Sequence, residues 1–337
     1  MEVTTIGLDL AKNVFQVHGV DEKGKAVLRK RLTRKQMLPF FANMKPCLIG
    51  MEAQGACHYW SRELKALGHE VKVMSPQFVK PYIKSSKNDQ NDAEAICEAM
   101  TRPSMRFVPQ KTVAQQDVQT LHRIRERLVR DRTGKSNQIR GLLAEYGIVV
   151  PLGIASLKKA LPRILEDAEN NLTPFGRELF FDLNQQLLSL DSRVKEYDQR
   201  ILTVFNKSPV CQRLAAVPGV GPLTATAVLA AIGNAACFKN GRQLAAWLGL
   251  TPRQHSSGNK TRLLGISKRG DRYVRFLLIH GARAVVQRSD GKDDPRSRWL
   301  NAVKARRGKN KAAVALANKN ARIIWALISR ETEFEVI

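Results

Sequence analysis

The chain has 337 residues, of which 43% are hydrophobic, so it is long enough to form two or three domains with sizeable cores. Lys and Arg number 56 against 30 Asp and Glu, and the net charge of +26 indicates a polyanionic partner, DNA or RNA, more than an anionic membrane surface. The sequence lacks a run of 18 apolar residues and a signal-peptide pattern, and its five scattered cysteines favour free thiols in a reducing cytoplasm over a zinc site.

The first hundred residues predict an α/β domain. Three strands are predicted in "VTTIGLDLA", "NVFQVHGVD" and "KAVLRKRL", and a fourth buried strand in "PCLIGMEA". A helix in "HYWSRELKALG", a strand in "HEVKVMSP" and a helix in "KNDQNDAEAICEAM" follow. Three consecutive strands and then alternating helix and strand are typical of the ribonuclease H-like fold.

Two aspartates, Asp89 and Asp92, open the last of these helices, and they allow two interpretations. Asp89 can cap the helix while Asp92 places a favourable negative charge in the first turn. Alternatively, both carboxylates share a helix face with apolar Ile96, away from Glu94 and Glu98, and therefore turn towards protein. Carboxylates on that side need a cation or a metal ion.

Two further acids stand where their predicted strands end. Asp9 closes the first strand and Glu52 closes the fourth, and in a ribonuclease H-like sheet these strand ends are neighbours. Together with Asp89 and Asp92 they make a set of four carboxylates, which would repel one another without cations. Carboxylate oxygens are hard ligands, so the sequence predicts a site for Mg²⁺ or Mn²⁺ that acts on a phosphate.

The middle of the chain is helical. Residues 113–146 predict a long basic helix, and a second helix is predicted to begin with Thr173 as its cap and Pro174 in its first turn. Its apolar positions follow a coiled-coil spacing: Phe180, Leu183, Leu187, Leu190, Val194, Tyr197, Ile201 and Val204. This seam can pack against the 113–146 helix, join two chains, or do both.

The last third carries two candidate phosphate-binding motifs. "PGVGPLTA" resembles a helix-hairpin-helix turn, in which Gly219 and Gly221 let backbone N–H groups approach phosphate, although a purely structural glycine turn is the alternative. "TPRQHSSGNKTR" is predicted as a flexible basic loop that binds phosphate or carries a nucleophile. The basic residues around it that would contact nucleic acid are Arg253, Lys260, Arg262, Lys268, Arg269, Arg272 and Arg275.

These motifs occur in one order over nearly the whole chain. "GLDLAK", "MEAQGA", "KNDQNDAEAI", "VPGVGPLTA" and "LGLTPRQHSSGNKTRLLGISKRGDRYVR" together resemble the DEDD-type transposases of bacterial insertion sequences, the RNA-guided bridge recombinases of the insertion sequence 110 and 1111 group. One departure is Gln54, where threonine is commoner in the family, and Ser256 stands at a position where the family varies.

The resemblance implies three regions: a RuvC-like ribonuclease H-fold catalytic domain over residues 1–110, a helical coiled-coil region over 111–205, and a mostly α-helical transposase domain over 206–337. It implies that Asp9, Glu52, Asp89 and Asp92 bind Mg²⁺ and that Ser257 attacks a DNA phosphodiester to form a covalent intermediate. It also implies a structured guide RNA and a composite site shared between the subunits of a dimer or tetramer. The expected location is the bacterial cytoplasm, in association with the nucleoid.

Two other functions are consistent with the same residues. One is a metal-only nuclease of the Holliday-junction type, in which water attacks and Ser257 merely binds phosphate. The other is an inactive copy that binds nucleic acid and regulates its own element. The first would cleave DNA without Ser257, and the second would bind DNA without cutting it.

Overall fold

A computed structural model describes residues 2–84, 88–258 and 260–334, and the chain folds into two compact units, Met1–Thr112 and Val113–Ile337. The helical region and the C-terminal region, which the sequence analysis separates at residue 205, therefore lie in one unit. Within the described residues, none of the helices is both long enough and apolar enough to cross a membrane.

The first unit is built on a mixed sheet of six strands. The strands are β1 (Thr5–Leu10), β2 (Val14–Val20), β3 (Ala26–Thr33), β4 (Leu48–Glu52), β5 (Glu70–Met74) and β6 (Phe107–Val108). Their order across the sheet is β3-β2-β1-β4-β5-β6, with β4 parallel to both β1 and β5 and the other pairs antiparallel. The five predicted strands are confirmed, and only the two-residue edge strand β6 was not predicted.

Four helices accompany this sheet: α1 (Met37–Ala42), α2 (Cys57–Ala66), α3 (Pro76–Val79), which continues into a 3₁₀ turn at Lys80–Tyr82, and α4 (Asp89–Met100). The core on one side of the sheet is formed by apolar side chains that alternate along the strands, such as Ile6 and Leu8, and by Trp60 of α2. On β1, Gly7 points to the opposite face from Ile6 and Leu8.

Helix α4 lies directly on the glycines of two adjacent strands. Gly7 pairs with Gly50 in the parallel register of β1 and β4. A Cβ atom at Gly7 would overlap the carbonyl of Ala93 and lie 2.5 Å from the amide nitrogen of Cys97, and a Cβ at Gly50 would lie 2.5 Å from the sulfur of Met100. The two glycines thus allow the helix backbone to approach the sheet closely.

The second unit is helical apart from one hairpin. Its helices are α5 (Val113–Ala144), α6 (Ile154–Glu166), α7 (Pro174–Asn206), α8 (Pro209–Ala215), α9 (Pro222–Ile232), α10 (Gly241–Trp247), α11 (Arg272–Gln287), α12 (Pro295–Arg307) and α13 (Lys309–Arg330). Strands β7 (Pro252–Ser257) and β8 (Lys260–Ile266) form the hairpin, and a 3₁₀ turn covers Ala235–Cys237. Helices α6 and α12 have no counterpart among the predicted elements, and Pro162 lies inside α6 although proline in a helix interior is a helix-breaking signal.

Helix α7 begins as predicted, with the hydroxyl of Thr173 accepting a hydrogen bond from the Gly176 amide at 3.0 Å. The predicted seam of α7 faces α5 within the same chain, and its positions alternate between fully and partly buried. The packing interpretation is therefore confirmed for one chain, whereas a contact between chains remains a prediction.

Polar groups interrupt this helix interface. Asp191 of α7 is buried and accepts hydrogen bonds from Arg132 of α5 at 2.7 Å and from Lys158 of α6 at 2.6 Å. The hydrogen bond from Lys158, together with that from Arg132, lowers the pKa of Asp191 to about 2. A buried carboxylate is unfavourable unless its cationic partners reach it. The cluster therefore favours the packing of α5, α6 and α7 in which Arg132 and Lys158 both contact Asp191.

His122 of α5 links two further helices of the second unit. Its imidazole is buried between the hydroxyl of Tyr273 on α11, at 3.1 Å, and the hydroxyl of Thr226 on α9, at 3.0 Å. Burial lowers the pKa of His122 to about 4, so the ring is neutral at physiological pH.

We expect Gly7→Ala to destabilise the first unit by about 3 kcal/mol or more, because the added methyl group overlaps the α4 backbone, which cannot rotate away as a side chain can. Gly134→Ala is the matched control, because a Cβ on this α5 glycine meets no atom within 4 Å. We expect that change to be neutral or stabilising by up to about 1 kcal/mol. Urea unfolding of the variants measures both effects, and equal stabilities would contradict the close approach of α4.

The low pKa of His122 predicts a loss of stability in acid. Between pH 6.5, its ordinary pKa, and about 4 the unfolded chain binds a proton that the folded chain excludes. The free energy of unfolding should therefore fall on acidification by up to about 1.4 kcal/mol per pH unit from this group. His122→Gln should flatten the slope, whereas substitution of the exposed His280 should leave it unchanged. Thermal unfolding across this pH range makes the comparison, and an equally steep slope in His122→Gln would refute it.

Candidate active site and nucleic-acid interface

Asp9 and Glu52 lie at the carboxyl ends of adjacent parallel strands. The register of β1 and β4 pairs Leu8 with Met51, and the two acids come one residue later on each strand. Because side chains alternate along a strand, Asp9 shares the face of Gly7 and Glu52 that of Gly50, the face covered by α4. Asp9 is buried and Glu52 is partly buried.

The first turn of α4 lies at the same end of these strands. Ala93 and Cys97 of α4 lie over Gly7, and the Cys97 sulfur approaches the carbonyl of Thr5 at 3.9 Å. The helix therefore runs opposite to β1, and its N-terminus lies towards Asp9. The order of the elements thus brings the strand-end acids and the acids of α4 to one end of the sheet.

Asn88 rather than Asp89 caps α4, so the capping interpretation of Asp89 is wrong. The side-chain oxygen of Asn88 accepts a hydrogen bond from the Asn91 amide at 2.7 Å, and Asp89 is the first helical residue. The side chain of Asp89 is exposed, so the expectation that it turns towards protein is wrong for this residue. Asp92 is partly buried, and its buried Oδ1 atom has no hydrogen-bond partner among the residues that the structure describes. An uncompensated buried carboxylate oxygen costs free energy unless a cation approaches it.

The other two acids of α4 point away from Asp92, as predicted. Lys84 forms ion pairs with Glu94 at 3.5 Å and Glu98 at 2.9 Å, and Arg102 binds Glu98 at 2.8 Å. The hydrogen bond from Lys84 is the main cause that lowers the pKa of Glu98. These carboxylates are already neutralised by cationic side chains and have no need of a metal ion.

The four predicted acids share one end of the sheet, but their side chains do not converge. Within residues 2–84, 88–258 and 260–334, no three His, Cys, Asp or Glu side chains are close enough to hold a metal ion. The chemistry of the donor set and the partnerless Oδ1 of Asp92 nevertheless fit a hard divalent cation.

Ser257 lies at the tip of a β-hairpin rather than in the predicted flexible loop. It is the last residue of β7 and pairs with Lys260. Gly258 follows it, and its φ of +55° suits the turn. Asn259 lies outside the described residues. The neighbouring Ser256 accepts a hydrogen bond from Gln254 at 2.7 Å. Every residue of β7 is exposed, so the Ser257 hydroxyl is accessible to a large substrate.

Six of the seven predicted nucleic-acid contacts around the hairpin are exposed: Arg253, Lys260, Arg262, Lys268, Arg269 and Arg272. Arg275 is the exception, and its assignment is corrected. Its guanidinium is buried and donates hydrogen bonds to the carbonyl oxygens of Leu248 at 2.9 Å and Arg269 at 2.7 Å. Arg275 thus joins α11 to the segments that enter and leave the hairpin and is not available to a phosphate.

The two glycines of the "PGVGPLTA" turn have different roles. Gly219 has a φ of +88°, and a Cβ there would lie 2.9 Å from the backbone of Gly281 on α11, so this glycine serves helix packing. Gly221 precedes α9 and is open on its outer side. It borders a cavity of about 500 Å³ that Arg288, Lys292 and Arg296 also line. The sequence did not indicate these three residues, because the fold of α11 and α12 brings them to the turn.

The comparisons with known proteins agree with this arrangement. A family model described as "Transposase", of the DEDD type, matches residues 6–148, and another described as "Transposase IS116/IS110/IS902 family" matches residues 211–298. The first spans the sheet and α4, and the second spans the glycine turn and the hairpin.

Three relatives align over almost the whole chain. A "Probable family 20 transposase" of Pseudomonas aeruginosa is 53% identical over 334 residues, 98% of each chain. The "Transposase for insertion sequence element IS1111A" of Coxiella burnetii is 48% identical, over 99% of this chain and 92% of the relative's length. The "Transposase for insertion sequence element IS1328" of Yersinia enterocolitica is 41% identical over 98% of each chain. With this similarity from end to end, the chain belongs to the IS110 family of insertion-sequence transposases, enzymes that cleave and rejoin DNA.

Proposed function

We propose that this transposase cuts DNA by attack of Ser257 on a phosphodiester, assisted by divalent metal ions bound to Asp9, Glu52, Asp89 and Asp92 in a RuvC-like ribonuclease H fold. The observation that carries the proposal is the position of Asp92. Its partnerless Oδ1 atom belongs to the helix that covers the strand faces bearing Asp9 and Glu52. A buried carboxylate oxygen at the end of the sheet that also carries Asp9 and Glu52 is stabilised by a cation.

The four carboxylates would hold Mg²⁺ or Mn²⁺, which would neutralise charge on the reacting phosphate and polarise its oxygen atoms. Asp9 and Glu52 are fixed by the sheet, so they would provide the rigid half of the site. Asp89 and Asp92 are carried by α4, whose position depends on the two glycines beneath it. The negative side chains in the first turn of α4 are also stabilised by the helix dipole.

The cleavage step conserves the energy of the DNA bond. The Ser257 oxygen forms a bond to phosphorus, the bond to the leaving sugar oxygen breaks, and the proton from the serine passes to solvent or to the leaving oxygen. Attack by a hydroxyl of the partner DNA then reverses the exchange and releases the serine. Each step replaces one phosphoester bond with another, so that no nucleotide cofactor is consumed.

The charge of the protein supports binding of long nucleic acids. From residue 253 to the C-terminus, 20 Lys and Arg stand against seven Asp and Glu, so about half of the excess positive charge lies in the last quarter. We propose that the exposed residues around the hairpin and the cavity beside Gly221 bind DNA backbones. A structured guide RNA, a composite site shared between subunits of an oligomer, and association with the nucleoid complete the proposal.

The serine step predicts a covalent protein–DNA product. Purified protein, RNA from the element's end, Mg²⁺ and labelled donor DNA are mixed and then denatured, and label that migrates with protein is measured. Ser257→Ala should reduce the product by at least ~10³-fold, because the nucleophile is removed. Ser256→Ala is the matched control and should keep most of it, since that neighbouring hydroxyl is not assigned a role in cleavage.

Two outcomes of this assay would overturn the serine step. Cut DNA without an adduct, unchanged in Ser257→Ala but lost in Asp92→Ala, would identify a metal-only nuclease. DNA binding without any cutting in the wild type would identify a regulator that is not an enzyme.

The metal site predicts a change in stability that does not depend on activity. Mg²⁺ or Mn²⁺ should raise the melting temperature of the wild type, because a ligand that binds only the folded state stabilises it. Asp92→Asn should abolish most of that rise, whereas Glu94→Gln, on the same helix but paired with Lys84, should keep it. A metal-induced rise of equal size in Asp92→Asn would exclude Asp92 as a ligand.

A further inference from the structure

A large groove in the second unit is separate from the residues discussed so far. Its volume is about 1170 Å³, and it lies between α13 and the base of the hairpin, with contributions from α10 and α12. The hairpin contributes Pro252 at the start of β7 and Leu264, Gly265 and Ile266 at the end of β8. The groove therefore begins where the strand that carries Ser257 leaves the helical core.

The floor of the groove is apolar and partly aromatic. Val314 and Ile323 of α13, Leu264 of β8 and Trp299 of α12 line the groove and are partly buried, and this apolar set is what we call its floor. Leu264 and Trp299 are only partly buried, although they are large apolar residues. A flat apolar group could cover this floor and exclude water from it.

The rim of the groove is strongly basic. Arg242 of α10 and Lys311, Lys319 and Arg322 of α13 line it and are exposed, and among the residues that the structure describes none of those lining it is acidic. Within the described parts of the chain these four side chains form no ion pair. The Lys319 ammonium lies 5.1 Å from the centre of the Trp299 ring. The partner that fits is an anion with flat apolar groups spaced between its charges.

We propose that this groove binds an unpaired DNA strand, with bases on the apolar floor and phosphates on the basic rim. A single strand matches both surfaces at once, because each nucleotide carries one aromatic face and one charge. A duplex matches only the rim, since its base faces are stacked inside the helix. The inference rests on the proposed function in one respect, namely that DNA is cut at Ser257.

The position of the groove favours DNA from the cleavage site. Five residue steps of extended strand separate Pro252 at the groove from Ser257 at the tip, a distance of about 17 Å. A strand freed by cleavage at Ser257 could therefore reach the groove with its first few nucleotides. The groove would hold the freed strand away from the strand with which it was paired. It would do so until the hydroxyl of the partner DNA attacks the phosphate on Ser257.

Binding of a fluorescent oligo(dT) to the full-length protein, measured by anisotropy, tests the proposal. Ala315→Trp fills the floor from α13, and Arg322→Ala removes a charge from the rim. Each should weaken oligo(dT) binding about tenfold or more, and Ala315→Trp should change the affinity for a duplex of equal length much less, because a duplex matches only the rim. Arg307→Ala is the matched control, because it removes an exposed arginine of α12 that does not line the groove, and it should stay within about threefold of wild type.

Three results would overturn the proposal. Ala315→Trp and Arg322→Ala could bind oligo(dT) as tightly as Arg307→Ala does. The two variants could lose binding of oligo(rU) but keep binding of oligo(dT), which would indicate that the groove binds RNA. The two variants could bind both oligonucleotides as the wild type does but sediment at a lower mass. That result would indicate that the groove binds a second copy of the chain. The two variants change the groove in different ways, since Ala315→Trp fills it and Arg322→Ala removes a charge. If a melting curve shows that one of them is misfolded, the other still tests the proposal.

The failure of this inference can be distinguished from failure of the serine mechanism. If the groove is assigned wrongly, the covalent product still forms and still depends on Ser257. If the serine mechanism is wrong, Ser257→Ala keeps full cleavage while the groove variants still lose oligo(dT).

Discussion

The candidate metal site depends on the contact between α4 and the glycines of β1 and β4. Because Gly7 and Gly50 lack side chains, the helix backbone rests on the sheet and its first turn reaches the ends of the strands that carry Asp9 and Glu52. A side chain at Gly7 would displace the α4 backbone and with it the acids of α4, whereas a side chain at Gly50 would meet the side chain of Met100. The buried Oδ1 of Asp92 belongs to this helix, and it supports the proposal that a cation binds there.

The proposed nucleophile, Ser257, lies in a different setting. All of β7 and most of β8 are exposed, with Leu264 and Ile266 partly buried at the end of β8, and an isolated two-stranded hairpin is only marginally stable in water. Its base is held by Arg275, which binds carbonyl groups on both sides of it, so the tip can extend while its root stays fixed. We propose that this exposed, basic hairpin contacts DNA and that the groove at its root binds the strand freed by cleavage.

Much of this arrangement can be predicted from the sequence, because it is encoded locally. The strands of the sheet show alternating or continuous apolar patterns, Thr173 and Pro174 mark the start of α7, and the four acids stand at element ends. Other features depend on contacts between distant residues. Arg275 resembles its exposed neighbours in sequence, yet the fold buries it against Leu248. The hairpin lacks a local signal because its polar residues have no buried face that would impose alternation.

The central claim, that the exposed hydroxyl of Ser257 is the nucleophile, is tested most directly by mapping the covalent product. The trapped protein–DNA product is digested with protease, and mass spectrometry locates the residual nucleotide. The account predicts a phosphodiester on Ser257, in a product that requires Mg²⁺ and is missing from Asp92→Ala. A nucleotide on another residue, or the complete lack of a covalent product while DNA is cut, would contradict it.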